Sequence, residues 1–191
     1  MMSLNPLREF VVSLTRLVES GAAEPRILEQ GRELVGQLVA KDDWLPEAFA
    51  RPHPQYYQQY LLFADPQERF SVVSFVWGPG QKTPLHDHTV WGVVGVLRGQ
   101  ERERRFDRQA DGSYLEVEAG VLGAGGVTAV SPSIGDVHIV ENALDDQVSI
   151  SIHVYGGNIG RVSRHVFDAA SGEAKTFISG YASDVVPNLW S

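Results

Sequence analysis

The sequence predicts a mainly β protein, a single antiparallel β-barrel or sandwich with N-terminal helices packed outside it. Three observations carry this: short β-branched and aromatic runs from Tyr60 onward, glycine-rich turns between them, and a helical period confined to the N-terminal stretch. At 191 residues the chain fits one domain, 1–191. Within it a helical segment is expected over about residues 1–45 and the barrel over about residues 46–180.

Between Asn5 and about Val39, apolar residues fall at helical spacing, with Phe10, Leu14 and Leu17 in one stretch and Ile27, Leu34 and Leu38 in a second. Asn5 followed by Pro6 reads as a cap and first-turn pair, and the breakers between Glu19 and Pro25 separate two helices. Beyond Trp44 the pattern changes. Strands are predicted at Leu61–Phe63, Phe70–Trp77, Trp91–Leu97, Tyr114–Val117, Asp136–Val140 and Val148–Tyr155. Turn residues punctuate them at Gly78-Pro79-Gly80, Arg98-Gly99-Gln100, Asp111-Gly112-Ser113 and Gly123 to Gly126. Many short strands without intervening helices call for an antiparallel closed or two-layered sheet. Phe177 to Ser191 has no clear period and is expected to lie against the outside of the barrel.

The composition removes whole classes of function. There is no cysteine, so disulfides, thiolate nucleophiles and thiolate metal ligands are excluded together, and His, Asp and Glu must carry any metal chemistry. A net charge of -8 disfavours nucleic acid as a partner. Basic residues do gather in Glu101 to Arg108, but acids interrupt them, and that alternation reads as a solvated strand face. No apolar run reaches the length of a membrane span, and Met1 to Ser20 lacks the pattern of a secretory signal; the expected location is cytoplasmic, with no membrane partner.

His86-Asp87-His88 sets two of the six histidines in an i, i+2 relation within an extended stretch. In a strand both point to one face and Asp87 to the other. The surroundings favour a shared metal ion. Gly80, His86, His88, Gly92 and Gly99 follow the spacing of the first cupin motif, with glycine in place of its usual glutamate ligand. Gly126, Pro132, Gly135, His138 and Asn142 follow the second, with one extra residue between proline and glycine. The barrel is accordingly expected to be cupin-type and jelly-roll-like. Three neutral imidazoles, His86, His88 and His138, can occupy one face of an octahedral ion and leave adjacent positions open.

Ser149 to Tyr155 alternates throughout, placing Ser151, His153 and Tyr155 on one face. From periodicity alone this is the solvent side of a half-exposed strand; the alternative is that it lines the cavity. The segments Gly80 to Gly99, Ser133 to Asn142 and Val148 to Tyr155 together resemble the cysteine dioxygenase family of thiol dioxygenases, over about Tyr57 to Phe167. The resemblance implies Fe(II) on His86, His88 and His138, and a hydrogen-bonded catalytic trio of Ser151, His153 and Tyr155. It also implies addition of both atoms of O2 to sulfur, giving a sulfinic acid.

Two departures qualify the substrate. The cysteine that crosslinks to the tyrosine in animal members is missing, with Gly92 or Val93 near its place. Gln59 stands where cysteine-specific members carry a substrate-binding arginine, which resembles the bacterial 3-mercaptopropionate dioxygenases. A neutral amide cannot form arginine's bidentate ion pair. Arg164 is similar to an arginine proposed to hold the carboxylate in those enzymes, although it also reads as a surface residue on an edge strand. The expected partners are a small thiol carboxylate, 3-mercaptopropionate before cysteine, and O2. A non-catalytic ligand-binding cupin, or a cupin enzyme of another class, is the competing reading. His53 and His165 are assigned no chemistry.

Overall fold

A computed structural model describes residues 3–190; Met1, Met2 and Ser191, the extreme ends of the stretches considered above, lie outside the described residues. Two helices, α1 (Asn5–Glu19) and α2 (Glu24–Val39), precede a 3-10 turn and ten strands. The strands are β1 (Gln58–Ala64), β2 (Ser71–Trp77), β3 (Gly92–Arg98), β4 (Gln100–Arg108), β5 (Tyr114–Gly123), β6 (Val127–Val130), β7 (His138–Asn142), β8 (Ser149–Tyr155), β9 (Arg164–Phe167) and β10 (Ala174–Phe177).

On α1, Leu7, Phe10, Val11, Leu14 and Leu17 are buried, and on α2 Ile27, Leu28, Val35, Leu38 and Val39 are. That is one apolar stripe per helix, and each large side chain so buried contributes roughly 2 kcal/mol. The start of α1 differs from the sequence expectation. Leu4 is the N-cap, Asn5 is the first helical residue, and no side chain caps the helix. The Asn5 amide oxygen instead accepts a bond from Arg8 at 2.6 Å. After α2 the indole N–H of buried Trp44 donates to the Leu38 carbonyl at 2.9 Å, satisfying an end-of-helix acceptor.

All strand pairs are antiparallel. One sheet runs β1-β2-β8-β3-β6, a second β5-β4-β7, and β9 pairs with β10. Residues 82–86 join the last two: Lys82 bridges Glu141, while His86 bridges both His138 and Val166. The result is a two-layered β structure. Every residue of β2 and β8 is buried, because α1 and α2 cover one face of the first sheet and the second layer covers the other. Gly95 lets α2 lie so close: a Cβ there would stand 2.5 Å from Val35 Cγ1. No helix among the described residues is long and apolar enough to cross a membrane.

Three expectations are corrected. The charged run Glu101 to Arg108 is a strand, but its inward face is not solvated: Glu101 is 3% exposed and the Glu103 side chain 12%. The polar face of β8 is not a solvent side, since every residue of β8 on both faces is buried. The C-terminal stretch does not lie wholly outside; Phe177 reaches an internal cavity and Tyr181 packs into the interior cluster.

Candidate metal centre

His86 and His138 exchange backbone hydrogen bonds at 3.1 Å in both directions, so they are direct cross-strand neighbours with side chains on the same face. His88, two residues on, joins them. The ligand atoms of His86, His88 and His138 all lie within 4.8 Å of one another, and all three residues are buried. Asp87 turns the other way, as the alternation predicts: its carboxylate accepts from the His165 backbone N–H at 2.7 Å and contacts His165 Nδ1 at 2.9 Å.

Each imidazole has its Nδ1 engaged by an oxygen acceptor. His86 Nδ1 lies 3.1 Å from the Pro84 carbonyl, His88 Nδ1 2.8 Å from Asp136 Oδ1, and His138 Nδ1 2.8 Å from Glu103 Oε1. Carbonyl and carboxylate oxygens only accept, so each Nδ1 carries the proton and each Nε2 is left with a free lone pair. Burial first, and mutual repulsion second, hold His86 and His88 well below the usual histidine range. Neutral nitrogen donors converging on one point fit a divalent transition metal.

The outer partners are themselves braced. Asp136 Oδ2 accepts the backbone N–H groups of His88 at 3.0 Å and Thr89 at 2.9 Å. Thr89 sits at φ 61°, a conformation that costs a β-branched residue about 1–3 kcal/mol, and the Asp136 grip offsets that strain beside His88. Glu103 is a diagonal neighbour of His138 across the β4–β7 ladder and also receives Arg105. Burial pushes Glu103 up, but bonding to His138 and the charge of Arg105 outweigh it and hold the carboxylate below its usual range. We expect Glu103→Gln to weaken metal binding by about 10–100-fold, measurable by chelator competition, because an amide is a weaker acceptor for Nδ1–H.

Beside the triad lies a cavity of about 300 Å³ that exposes His86, His138, His153 and Tyr155. On β8, Ser151 Oγ lies 2.8 Å from His153 Nε2, and His153 Nδ1 lies 2.8 Å from the Tyr155 hydroxyl. The Tyr155 ring stacks on His88 at 5.2 Å between centroids. Burial holds His153 well below the usual histidine range and raises Tyr155, so both are neutral at physiological pH. Gly92 lies against the phenol: a Cβ there would meet the Tyr155 ring at 3.0 Å. Aromatic side chains form one wall, with Tyr57 stacked on Trp77 at 4.7 Å and Phe75 on His153 at 4.0 Å.

Gln59 and Arg164 both line this cavity. Arg164 is 3% exposed, so the surface reading of this residue is overturned. Its Nη2 donates to Ser179 at 2.7 Å and its guanidinium lies 4.7 Å from the Phe177 ring, but its buried Nε has no partner. Gln59 Oε1 is likewise buried and unpartnered. A larger cleft of about 580 Å³ opens near α2, β4 and β5, lined among others by Leu28, Arg105 and Leu122. It contains none of the three histidines, so the chemistry lies with the smaller cavity. His53 does not line the cavity: its Nδ1 accepts two nearby backbone N–H groups and its ring stacks on Tyr56.

Sequence reasoning missed Asp136, Glu103 and Phe177. Asp136 sits two residues before His138, and Glu103 alternates with Arg102 and Arg104; only knowledge of which face is inward distinguishes them from surface charges. Phe177 had no periodic signal.

Residues 35–168 match the family model for cysteine dioxygenase type I. A curated relative, cysteine dioxygenase type 1 of Danio rerio, is 28% identical over 138 residues; the match covers 70% of this chain and 66% of that protein, just under two thirds of its length. Among solved structures, similarity extends to an uncharacterised conserved protein with a double-stranded β-helix domain from Klebsiella pneumoniae. Its TM-score is 0.47 at 18% identity, covering 70% of this chain and 87% of that one. A Cupin 2 conserved barrel domain protein from Salinispora arenicola has a TM-score of 0.43 at 20% identity, covering 60% and 86%.

Proposed function

The chain belongs to the cysteine dioxygenase type I family, and on that premise we propose that it is an Fe(II)-dependent thiol dioxygenase, converting a small thiol carboxylate and O2 to the sulfinic acid. The observation that supports this best is the placement of a buried, incompletely bonded arginine in the same cavity as the Tyr155 phenol and two of the three clustered histidines, His86 and His138. Ferrous iron held by the three Nε2 atoms would supply the redox chemistry that these side chains lack, carrying electrons between thiolate and dioxygen. The reaction balances without a reductant, because RSH and O2 together give RSO2H.

The chain's own residues bind and orient. Arg164 offers its charge and open Nε donor to the carboxylate end of the substrate, with no carboxylate among the described residues within ion-pairing distance to compete. Gln59 contributes an amide to the same end. The Tyr57, Phe75 and Trp77 wall excludes water, which strengthens each polar contact inside. Tyr155, steadied by His153 and Ser151, places its hydroxyl where the sulfur is oxidised.

We favour 3-mercaptopropionate over cysteine. The cavity lining contains one arginine and no Asp or Glu, so the α-ammonium of cysteine would have no ion partner there. Cysteine remains the second reading, because the unpartnered Gln59 Oε1 could accept an N–H from that ammonium. Oxygen uptake by anaerobically iron-loaded protein, given each thiol separately with the sulfinate quantified, tests the choice. Faster turnover of 3-mercaptopropionate supports it, faster turnover of cysteine reverses it, and no uptake with either thiol points to a ligand-binding cupin. Arg164→Gln is expected to raise KM for the preferred thiol carboxylate by about 10–100-fold while leaving iron content unchanged, the cost of losing a bond to a charged group.

A further inference from the structure

The Ser151–His153–Tyr155 chain does not end at Ser151. Ser149 continues the same face of β8, and above both serines lies Glu101, the second residue of β4 and 3% exposed. Ser149 Oγ is 2.9 Å from Glu101 Oε1; the Ser151 hydroxyl, whose short bond is to His153, adds a weaker pull on the same carboxylate. We propose that Glu101 is a positioning residue: joined to the inner end of the chain, it decides which way those hydrogen bonds run, and so whether the Tyr155 hydroxyl donates into the cavity or only accepts.

The direction of the chain follows from a count of protons. The Trp77 indole N–H, which can only donate, points at Ser151 Oγ from 3.2 Å and uses one of its lone pairs. His153 is neutral, so one ring nitrogen donates and the other accepts. If Glu101 is a carboxylate, the Ser151 O–H is drawn to it, because a charged acceptor outcompetes a neutral one. His153 then donates from Nε2 to Ser151 and accepts the Tyr155 O–H at Nδ1, leaving the phenol oxygen with only lone pairs for the cavity. If Glu101 is the neutral acid, Ser151 can donate to Nε2, Nδ1–H donates to the phenol oxygen, and the phenol O–H is free to point into the cavity.

The surroundings bring both the acid and the carboxylate within reach near neutral pH. Burial raises Glu101 from the ordinary carboxylate value to about 7, with the two serines pulling the other way. No charge faces it: across the ladders it meets Leu122 on β5 and Asn142 on β7, and Arg98 turns outward to Asp42. Glu103 and Arg105 lie further along its own strand face, paired with each other and with His138. Ser149 Oγ also stands 3.0 Å from the Arg98 carbonyl, and its single proton cannot serve both acceptors. A protonated Glu101 removes the conflict, donating to Ser149 while Ser149 donates to the carbonyl.

The bearing on turnover rests on the thiol-oxidation reading, in which Tyr155 donates. The test compares iron-loaded wild type with Glu101→Gln, whose side chain has nearly the same shape and cannot ionise. Wild-type kcat is expected to fall about tenfold from one pH unit below the Glu101 midpoint to one above, relative to a Glu101→Gln variant that holds its low-pH kcat with KM little changed. Superimposed pH profiles overturn the proposal. A readout independent of turnover uses metal-free protein: the infrared carboxylic-acid C=O stretch absent from Glu101→Gln should titrate near neutrality in wild type and shift to higher pH in Ser151→Ala. An unmoved midpoint disconnects Glu101 from the chain and overturns the proposal. Failure of wild type to oxidise any thiol, with the infrared shift present, sinks the reaction assignment and leaves the Glu101 link standing.

Discussion

Alanine in place of His138 should abolish iron binding and sulfinate formation together. His138 supplies one of three converging nitrogen donors, and its ring is held in place by Glu103 at 2.8 Å. The loss should exceed the roughly 10–100-fold that a missing outer partner costs. It would also leave Glu103 buried beside Arg105 without its imidazole partner. The fold should nonetheless survive, because His138 lies between strands whose ladder bonds come from the backbone. Iron analysis and circular dichroism on the same sample separate the two effects. Normal iron with full turnover would show that the histidines have been given the wrong job.

The second large effect is expected at Tyr155. Tyr155→Phe should keep iron, because the phenol is not among the three converging donors, yet lower kcat by about 100-fold or more. Part of the oxygen consumed should then fail to appear as sulfinate. The physical reason is that the hydroxyl is the outer hydrogen-bonding end of the Ser151–His153 chain; a phenyl ring fills the same space against His88 and Gly92 but delivers no hydrogen bond. Parallel measurement of oxygen consumed and sulfinate formed decides this, and unaltered coupling would reduce the β8 chain to a packing feature.

Much of this centre was legible in the sequence because its geometry is local. A strand period of two dictates that His86 and His88 share a face, that Asp87 does not, and that Ser151, His153 and Tyr155 line up. The convergence of His138 on His86 was readable only through motif spacing, since it depends on a cross-strand pairing that periodicity does not specify. Orientation of faces was where local reasoning failed. Alternation in Glu101 to Arg108 says that two faces differ, but not which is inward, and a run of charges biases the reading toward water. Here the inward face carries Glu101 and Glu103, one bonded to the β8 serines and the other to a histidine of the centre. Burial of Arg164 was equally hidden, because it follows from the late strands β9 and β10 closing over the cavity.

The most direct test supplies isotopically heavy dioxygen to iron-loaded protein with 3-mercaptopropionate and examines the product by mass spectrometry. The account predicts a sulfinic acid carrying two heavy oxygen atoms, formed one for one with dioxygen consumed and without added reductant. A product carrying a single heavy atom, a disulfide, or no consumption of dioxygen would contradict it.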